Sequence, residues 1–171
     1  MRKIIILASV VIILVLASGF ILKGIKKQSI GNLKPTPTVS ATRLKTFKSS
    51  GTMKFTVQIP NTYEPDEKLT YVDFKKGGDL VDVIRNGTNF GSLDEYLKNS
   101  DSRKNLKISS ERILEINGYE AKDRVEFNKD NGVSQKVYYI YINNWVYIIS
   151  TKSETLYSDL DQIAQSFRYT P

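Results

Sequence analysis

The side chains able to do chemistry in this sequence are carboxylates, hydroxyls and amines, because its 171 residues include neither histidine nor cysteine. That absence excludes imidazole bases, thiolate nucleophiles, disulfides and zinc sites built on those ligands. Among the carboxylates, Asp79 and Asp82 lie three apart in a strand-like run, so alternation sends them to opposite faces and solvated turn charges are the plainer reading. Asp159 and Asp161 lie two apart on a helical pattern, roughly 200° around the axis, and read as surface residues near a helix N-terminus. Glu64, Asp66 and Glu67 offer hard oxygens to a calcium ion, but their spacing matches no calcium loop and Lys68 adjoins them. Gly87 to Ser92 lacks the lysine and the spacing of a phosphate loop and reads as a strand-to-helix turn. Asp130-Asn131-Gly132 is a hairpin turn before it is a metal loop. The residues therefore imply no catalytic side chain, no metal ligand and no cofactor.

The aromatic residues carry the remaining chemistry, which is that of binding. Ten tyrosines and one tryptophan sit mostly in the second half. Tyr138, Tyr139, Tyr141, Trp145 and Tyr147 are the candidate binding surface, a stacking platform for a glycan or an unstructured peptide, with core and sheet packing as the alternative.

These residues must be positioned by sheet-forming segments. Phe55, Val57 and Ile59 alternate with Thr56 and Gln58 in a strand over 53–60 ended by Pro60. An acidic loop over 61–68, a strand over 69–75, a turn at Lys76-Gly77-Gly78-Asp79 and a strand over 80–85 complete a small meander. Ser92 with Glu95 three residues later starts a short helix to about Asn99, with Leu93, Tyr96 and Leu97 on one face. Strand composition returns over 108–116, broken at Ser109-Ser110. Asn117-Gly118 tolerates two positive φ angles and predicts a tight hairpin. Beyond it Tyr119, Ala121, Val125 and Phe127 alternate with Glu120, Lys122, Arg124 and Glu126, leaving Asp123 as the odd polar residue on the inner face. Turns at 129–132 and at Asn143-Asn144 then make a four-stranded antiparallel ladder. Its last two strands are apolar on both faces, so the sheet needs two covers. Leu156, Leu160, Ile163, Ala164 and Phe167 of a final helix supply one, and the first helix or a partner supplies the other.

The N-terminal part is of another kind. Ile4 to Leu22 is a run of nineteen residues without a charge, enough to span a hydrocarbon core of ~30 Å. Arg2 and Lys3 precede it, and Lys23, Lys26 and Lys27 stop it in the manner of a spanning helix ending at headgroups. Residues 1–27 thus read as a signal anchor, with the alternative of cleavage after Gly19 and secretion. Residues 28–50 are a Pro/Thr/Ser/Lys-rich linker centred on Lys34-Pro35-Thr36-Pro37-Thr38, and 51–171 are the folded domain. Residues 1–48 hold nine Lys or Arg and no acid, whereas 49–171 carry sixteen bases against eighteen acids. The net charge of +7 therefore belongs to the tail, which argues against a nucleic-acid partner.

The strand closing in Ile59-Pro60, the Ser92-Leu93-Asp94-Glu95-Tyr96-Leu97 helix, Ile116-Asn117-Gly118-Tyr119-Glu120-Ala121, the aromatic hairpin and Leu160 to Phe167 together resemble PsbP-type domains over residues 51–171. That resemblance implies an α+β fold, an antiparallel β-sheet meander flanked by helices in an α/β/α sandwich, here preceded by one N-terminal transmembrane helix. The family takes its name from an extrinsic subunit of photosystem II, and its bacterial relatives are often exported and membrane-tethered. Photosynthetic members are linked to manganese or calcium handling through histidines that this chain lacks, so that function does not carry over. The expectation is a single-pass protein of the cytoplasmic membrane, held by residues 4–22. Its C-terminal domain is an extracytoplasmic, non-catalytic accessory module that binds another envelope protein or a cell-surface component. A hydrolase using two carboxylates, about 5 to 9.5 Å apart, and a metal-ion-binding domain are the alternatives.

Overall fold

The computed structural model describes residues 43–171. The expected membrane segment and residues 28–42 of the expected linker lie outside the described residues. The domain begins earlier than residue 51, however, because Leu44–Lys48 forms strand β1, antiparallel to β2 (Phe55–Pro60). The linker composition of this stretch hides a strand that is mostly exposed and needs few apolar side chains.

Strands β3 (Glu64–Glu67), β4 (Tyr71–Lys76) and β5 (Asp79–Gly87) follow. Residues 64–67 are a strand and not the expected loop, paired along β4 from Glu64 opposite Lys75 to Glu67 opposite Val72. Helix α1 (Leu93–Asp101) starts where expected, with the Ser92 hydroxyl accepting from the Glu95 amide at 3.3 Å. The reciprocal bond goes one residue further back, since Glu95 Oε2 accepts from the Gly91 amide at 3.1 Å. Strands β6 (Leu106–Ile116), β7 (Tyr119–Asn128), β8 (Val133–Ile142) and β9 (Trp145–Thr151) form the ladder. The break at Ser109-Ser110 is a β-bulge in β6. The tight turns have the left-handed residues their dipeptides imply, Asn117 and Gly118 at φ 53° and 86°, Asn143 and Asn144 at 48° and 63°. A 3₁₀ turn at Glu154–Leu156 leads into helix α2 (Tyr157–Gln165), and Arg168–Tyr169 forms β10.

The strands make two antiparallel sheets, a seven-stranded one ordered β3-β4-β5-β9-β8-β7-β6 and a three-stranded one ordered β1-β2-β10. The second sheet was not legible in the sequence, since β10 is two residues long and β1 lies in the linker composition. The fold is thus an α+β sandwich in which one face of the large sheet carries α2 together with the small sheet. The main core lies there: Phe55, Val57 and Ile59 of β2 meet Tyr138, Ile140, Tyr147 and Ile149 of the large sheet and Leu160, Ile163 and Phe167 from the C-terminal segment. Phe167 stacks on Phe55 at 5.7 Å between ring centroids and packs against Tyr147 at 4.9 Å. On the other face α1 inserts Leu93 and Leu97 among Val137, Tyr139 and Val146.

Phe167 has no exposed surface and bridges the two sheets, so truncating it removes two aromatic contacts and leaves a cavity. Phe167→Ala is expected to lower the unfolding free energy by about 3–5 kcal/mol in a denaturant titration. Ile113→Ala on exposed β6 is the reference and is expected to change it by less than about 0.5 kcal/mol.

Candidate functional site

Three of the five residues of the expected aromatic surface are buried, and one of them, Tyr139, reaches the lining of the groove beside α1. Tyr138 and Tyr147 are fully buried and Tyr139 is 3% exposed, because α2 and the small sheet cover one face and α1 the other. Each of the three hydroxyls is committed: Tyr138 donates to Asp161 at 2.7 Å, Tyr139 to Glu126 at 2.8 Å and Tyr147 to the Met53 carbonyl at 2.8 Å. Burial raises the Tyr147 phenol to about 12, and burial with a neighbouring carboxylate raises those of Tyr138 and Tyr139 further. Tyr141 is half-buried, donating to the Phe90 carbonyl at 2.7 Å. Trp145 keeps 36% exposure, with the Arg85 guanidinium 3.7 Å from its ring centroid.

The carboxylates singled out in the sequence serve structure. Asp159 accepts from Tyr63 at 2.8 Å and pairs with Lys76 at 2.9 Å, and Asp161 accepts from Tyr138 and pairs with Lys136 at 2.5 Å. Both therefore pin α2 to the sandwich and are not merely surface residues. Asp66 lies between Lys68 and Lys75, each at 2.7 Å, and these two ammonium groups hold its carboxyl down at about 2. Glu67 accepts from the Ser50 amide at 2.7 Å. Among the described residues no group of three or more acidic side chains is placed to hold a metal ion.

The alternation in β7 sends Lys122, Arg124 and Glu126 toward α1, where they are 7%, 5% and 1% exposed. Arg124 pairs with Asp101 at 2.8 Å and with Glu111 at 2.5 Å, while Lys122 pairs with Asp94 at 2.5 Å. Two acids of α1 thus meet two bases of β7, and Glu126 is satisfied by Tyr139 and by Gln135 at 3.1 Å. On the opposite face Asp123 is 4% exposed and neutralised by Arg112, which resolves the odd polar residue of β7.

Helix α1 has only nine residues and covers part of its face. Beside it lies an open groove of about 650 Å³ on the face formed by β5 and β9. Its floor alternates along β5 through Leu80, Asp82 and Ile84 and continues across to Ile148 and Ser150 of β9. Lys104 and Lys152 also line it, so apolar side chains, a half-buried carboxylate and ammonium groups share one cleft. Asp82 accepts from the Ser150 hydroxyl at 2.8 Å and stands directly opposite Asp73 of β4. Asp79 is an exposed charge at the strand start, as expected, whereas Asp82 is half-buried and is not the solvated turn charge expected of it. The relevant neighbour of Asp82 therefore comes from across the sheet, which no spacing within one strand reveals. The period-2 set Leu80, Asp82, Ile84 was the available signal, facing away from Val81 and Val83.

No family model and no curated protein matches this sequence. Its structure does have solved counterparts. The solution structure of cyanobacterial PsbP (CyanoP) from Synechocystis sp. PCC 6803 superposes with a TM-score of 0.52 at 13% identity, over 81% of this chain and 99% of that one. The domain has the PsbP-like fold. A crystal structure from Bacteroides thetaiotaomicron VPI-5482 superposes with a TM-score of 0.54, also at 13% identity, over 74% of this chain and 48% of that one. The PsbP-like fold expected from the Ser92 helix, the Asn117-Gly118 hairpin and the final helix is thus the fold observed, with its sheet covered from both sides.

Burial raises the Asp82 carboxyl above its ordinary value and the Asp73 charge adds to this, while the Ser150 hydrogen bond opposes both. Since the folded state then holds the proton more tightly than the unfolded chain, this group's stabilising contribution is complete below the unfolded value near ~3.9. It is lost as pH rises through the folded value. Asp82→Asn keeps an acceptor for Ser150 and removes the charge, so the variant is expected to be more stable than the parent at pH 7. The difference should shrink toward zero below about pH 4. Denaturant titrations at the two pH values measure it, and an equal or inverted difference at pH 7 would refute this reading.

Proposed function

We propose that this protein is a membrane-tethered, extracytoplasmic accessory module that binds a partner and performs no catalysis. The observation that carries the reading is the open groove over β5 and β9, whose apolar floor and charged margin suit contact with another molecule. Two further features support it. The ionisable groups packed beneath α1 and α2 are engaged in internal pairs that fix where the helices sit. The charge-free run from Ile4 to Leu22, basic at both ends, is a membrane anchor, and the proline-containing stretch after it holds the domain off the bilayer. The partner is another envelope protein or a cell-surface component, since the domain's mixed charges lack the basic face that a nucleic acid requires.

Protease treatment of intact cells expressing the full chain with a C-terminal tag tests the orientation. The tag is expected to be lost before lysis, with the outer membrane permeabilised first where one exists. Survival of the tag until lysis would put the domain in the cytoplasm and end the proposal. The groove is tested in the same cells by a photoreactive amino acid at Ile84, with Lys129 in an exposed hairpin turn as control. A discrete adduct from the groove position alone is expected, whereas identical patterns from both positions would remove the groove from the reading.

A further inference from the structure

The two covers of the large sheet are attached in different ways. On one face α2 and the small sheet share an extensive apolar cluster with the strands, in which Phe55, Phe167 and Tyr147 meet. On the other face α1 contributes two buried leucines, and none of the described strands pairs with residues 88–105, which carry it. These residues connect β5 to β6, which stand apart by three strands, so the connection is a strap laid over β9, β8 and β7. Crossing the four gaps takes about 19 Å, whereas the strap fully extended reaches about 60 Å, so it can leave the face without pulling any strand from the sheet.

The polar ties of the strap are few, and the sheet does not depend on them. Asp94 pairs with Lys122 and Asp101 with Arg124, the Leu93 amide donates to Glu120 at 3.4 Å, and the Phe90 carbonyl accepts from Tyr141 at 2.7 Å. The Tyr96 hydroxyl accepts from the Asn86 amide at 3.4 Å. Both bases have a second partner within the sheet, since Glu111 lies 2.5 Å from Arg124 and 3.5 Å from Lys122. Glu126 keeps Tyr139 and Gln135. With α1 lifted, the charges beneath it are still paired and are open to water, so none is left both buried and alone. A short cover with few apolar contacts, over a sheet that keeps its own hydrogen bonds and ion pairs, belongs to the part of a fold that opens before the whole unfolds.

We propose that α1 opens as a strap while the seven-stranded sheet stays folded, and that its opening joins the groove over β5 and β9 to the face of β8. Tyr139 and Ile148 lie at the junction, since both line the groove and both belong to the apolar cluster that α1 covers. Lifting α1 uncovers Val137 and Val146 beside them, so the position of this helix sets how far the groove extends. The motion needs no partner in the groove.

Because the chain has no cysteine, a single introduced thiol reports the opening. Val137→Cys places it beneath α1 and Val83→Cys places it in the main core, both at positions without exposed surface. Each full-length variant, in detergent micelles, is treated with N-ethylmaleimide over a series of urea concentrations below the unfolding transition. The Val137→Cys thiol is expected to react more than about tenfold faster than the Val83→Cys thiol. Its rate should rise with urea less than about half as steeply, because little surface is exposed when α1 leaves. In the unsubstituted protein, where packing is untouched, the amides of Leu97–Asp101 should exchange with deuterium ahead of those of Val137–Ile142. Either of two results would overturn the proposal: equal rates and equal urea dependence at the two thiols, or exchange of the α1 amides only together with those of β8.

Discussion

Strands β8 and β9 are apolar on both faces, and water has to be kept from both at once. Tyr138, Ile140, Tyr147 and Ile149 point one way, Val137, Tyr139 and Val146 the other. A sheet exposed on either side would leave a contiguous apolar patch, so the rest of the chain is arranged as two lids over these strands. The heavier lid is α2 with the small sheet, joined through the cluster of Phe55, Phe167 and Tyr147, whose rings meet at 4.9 to 6.2 Å between centroids. The lighter lid is α1, whose apolar contribution from buried positions is two leucines.

A nine-residue helix with two buried leucines is weakly held by burial alone. Its attachment is completed by charge, Asp94 to Lys122 and Asp101 to Arg124, in a site where the bases are nearly inaccessible. Buried pairs of this kind add little net stability relative to apolar packing, yet they are costly to break by halves, and so they fix where the helix sits. The groove over β5 and β9 follows from the same economy of cover. Where α1 ends, the sheet face is still half apolar, and Ile84 and Ile148 remain as the floor of an open cleft.

The tyrosines show how a polar handle reconciles an aromatic core with its surroundings. Tyr63, Tyr138, Tyr139 and Tyr147 bury their rings and send their hydroxyls to Asp159, Asp161, Glu126 and the Met53 carbonyl. Each bond satisfies a donor that burial would otherwise strand, and each ties one layer to another or one strand to its neighbour. The aromatic enrichment of the second half is therefore largely a packing device, with Tyr141 and Trp145, the latter beneath Arg85, among its partly exposed members.

The sequence alone determined the elements whose signals are local. Asn117-Gly118 and Asn143-Asn144 set their turns because few residues accept positive φ, Ser92 began α1 because its hydroxyl caps an open amide, and alternation identified β2 and the four-stranded ladder. It also demanded two covers, since the apolar faces of β8 and β9 are written in consecutive residues. Tertiary structure decided what no local pattern encodes. Strands β1, β3 and β10 are short or polar and exist because a neighbour completes their hydrogen bonds, so the first two read in sequence as linker and loop and the third has no signal of its own. The burial of Tyr138, Tyr139 and Tyr147, the pairing of Arg124 with Asp101 and the meeting of Asp82 with Asp73 all depend on segments distant in the chain. Local sequence sets backbone preference and face, but contact across strands is set by register and by which lid lands where, and these emerge only when the whole core closes.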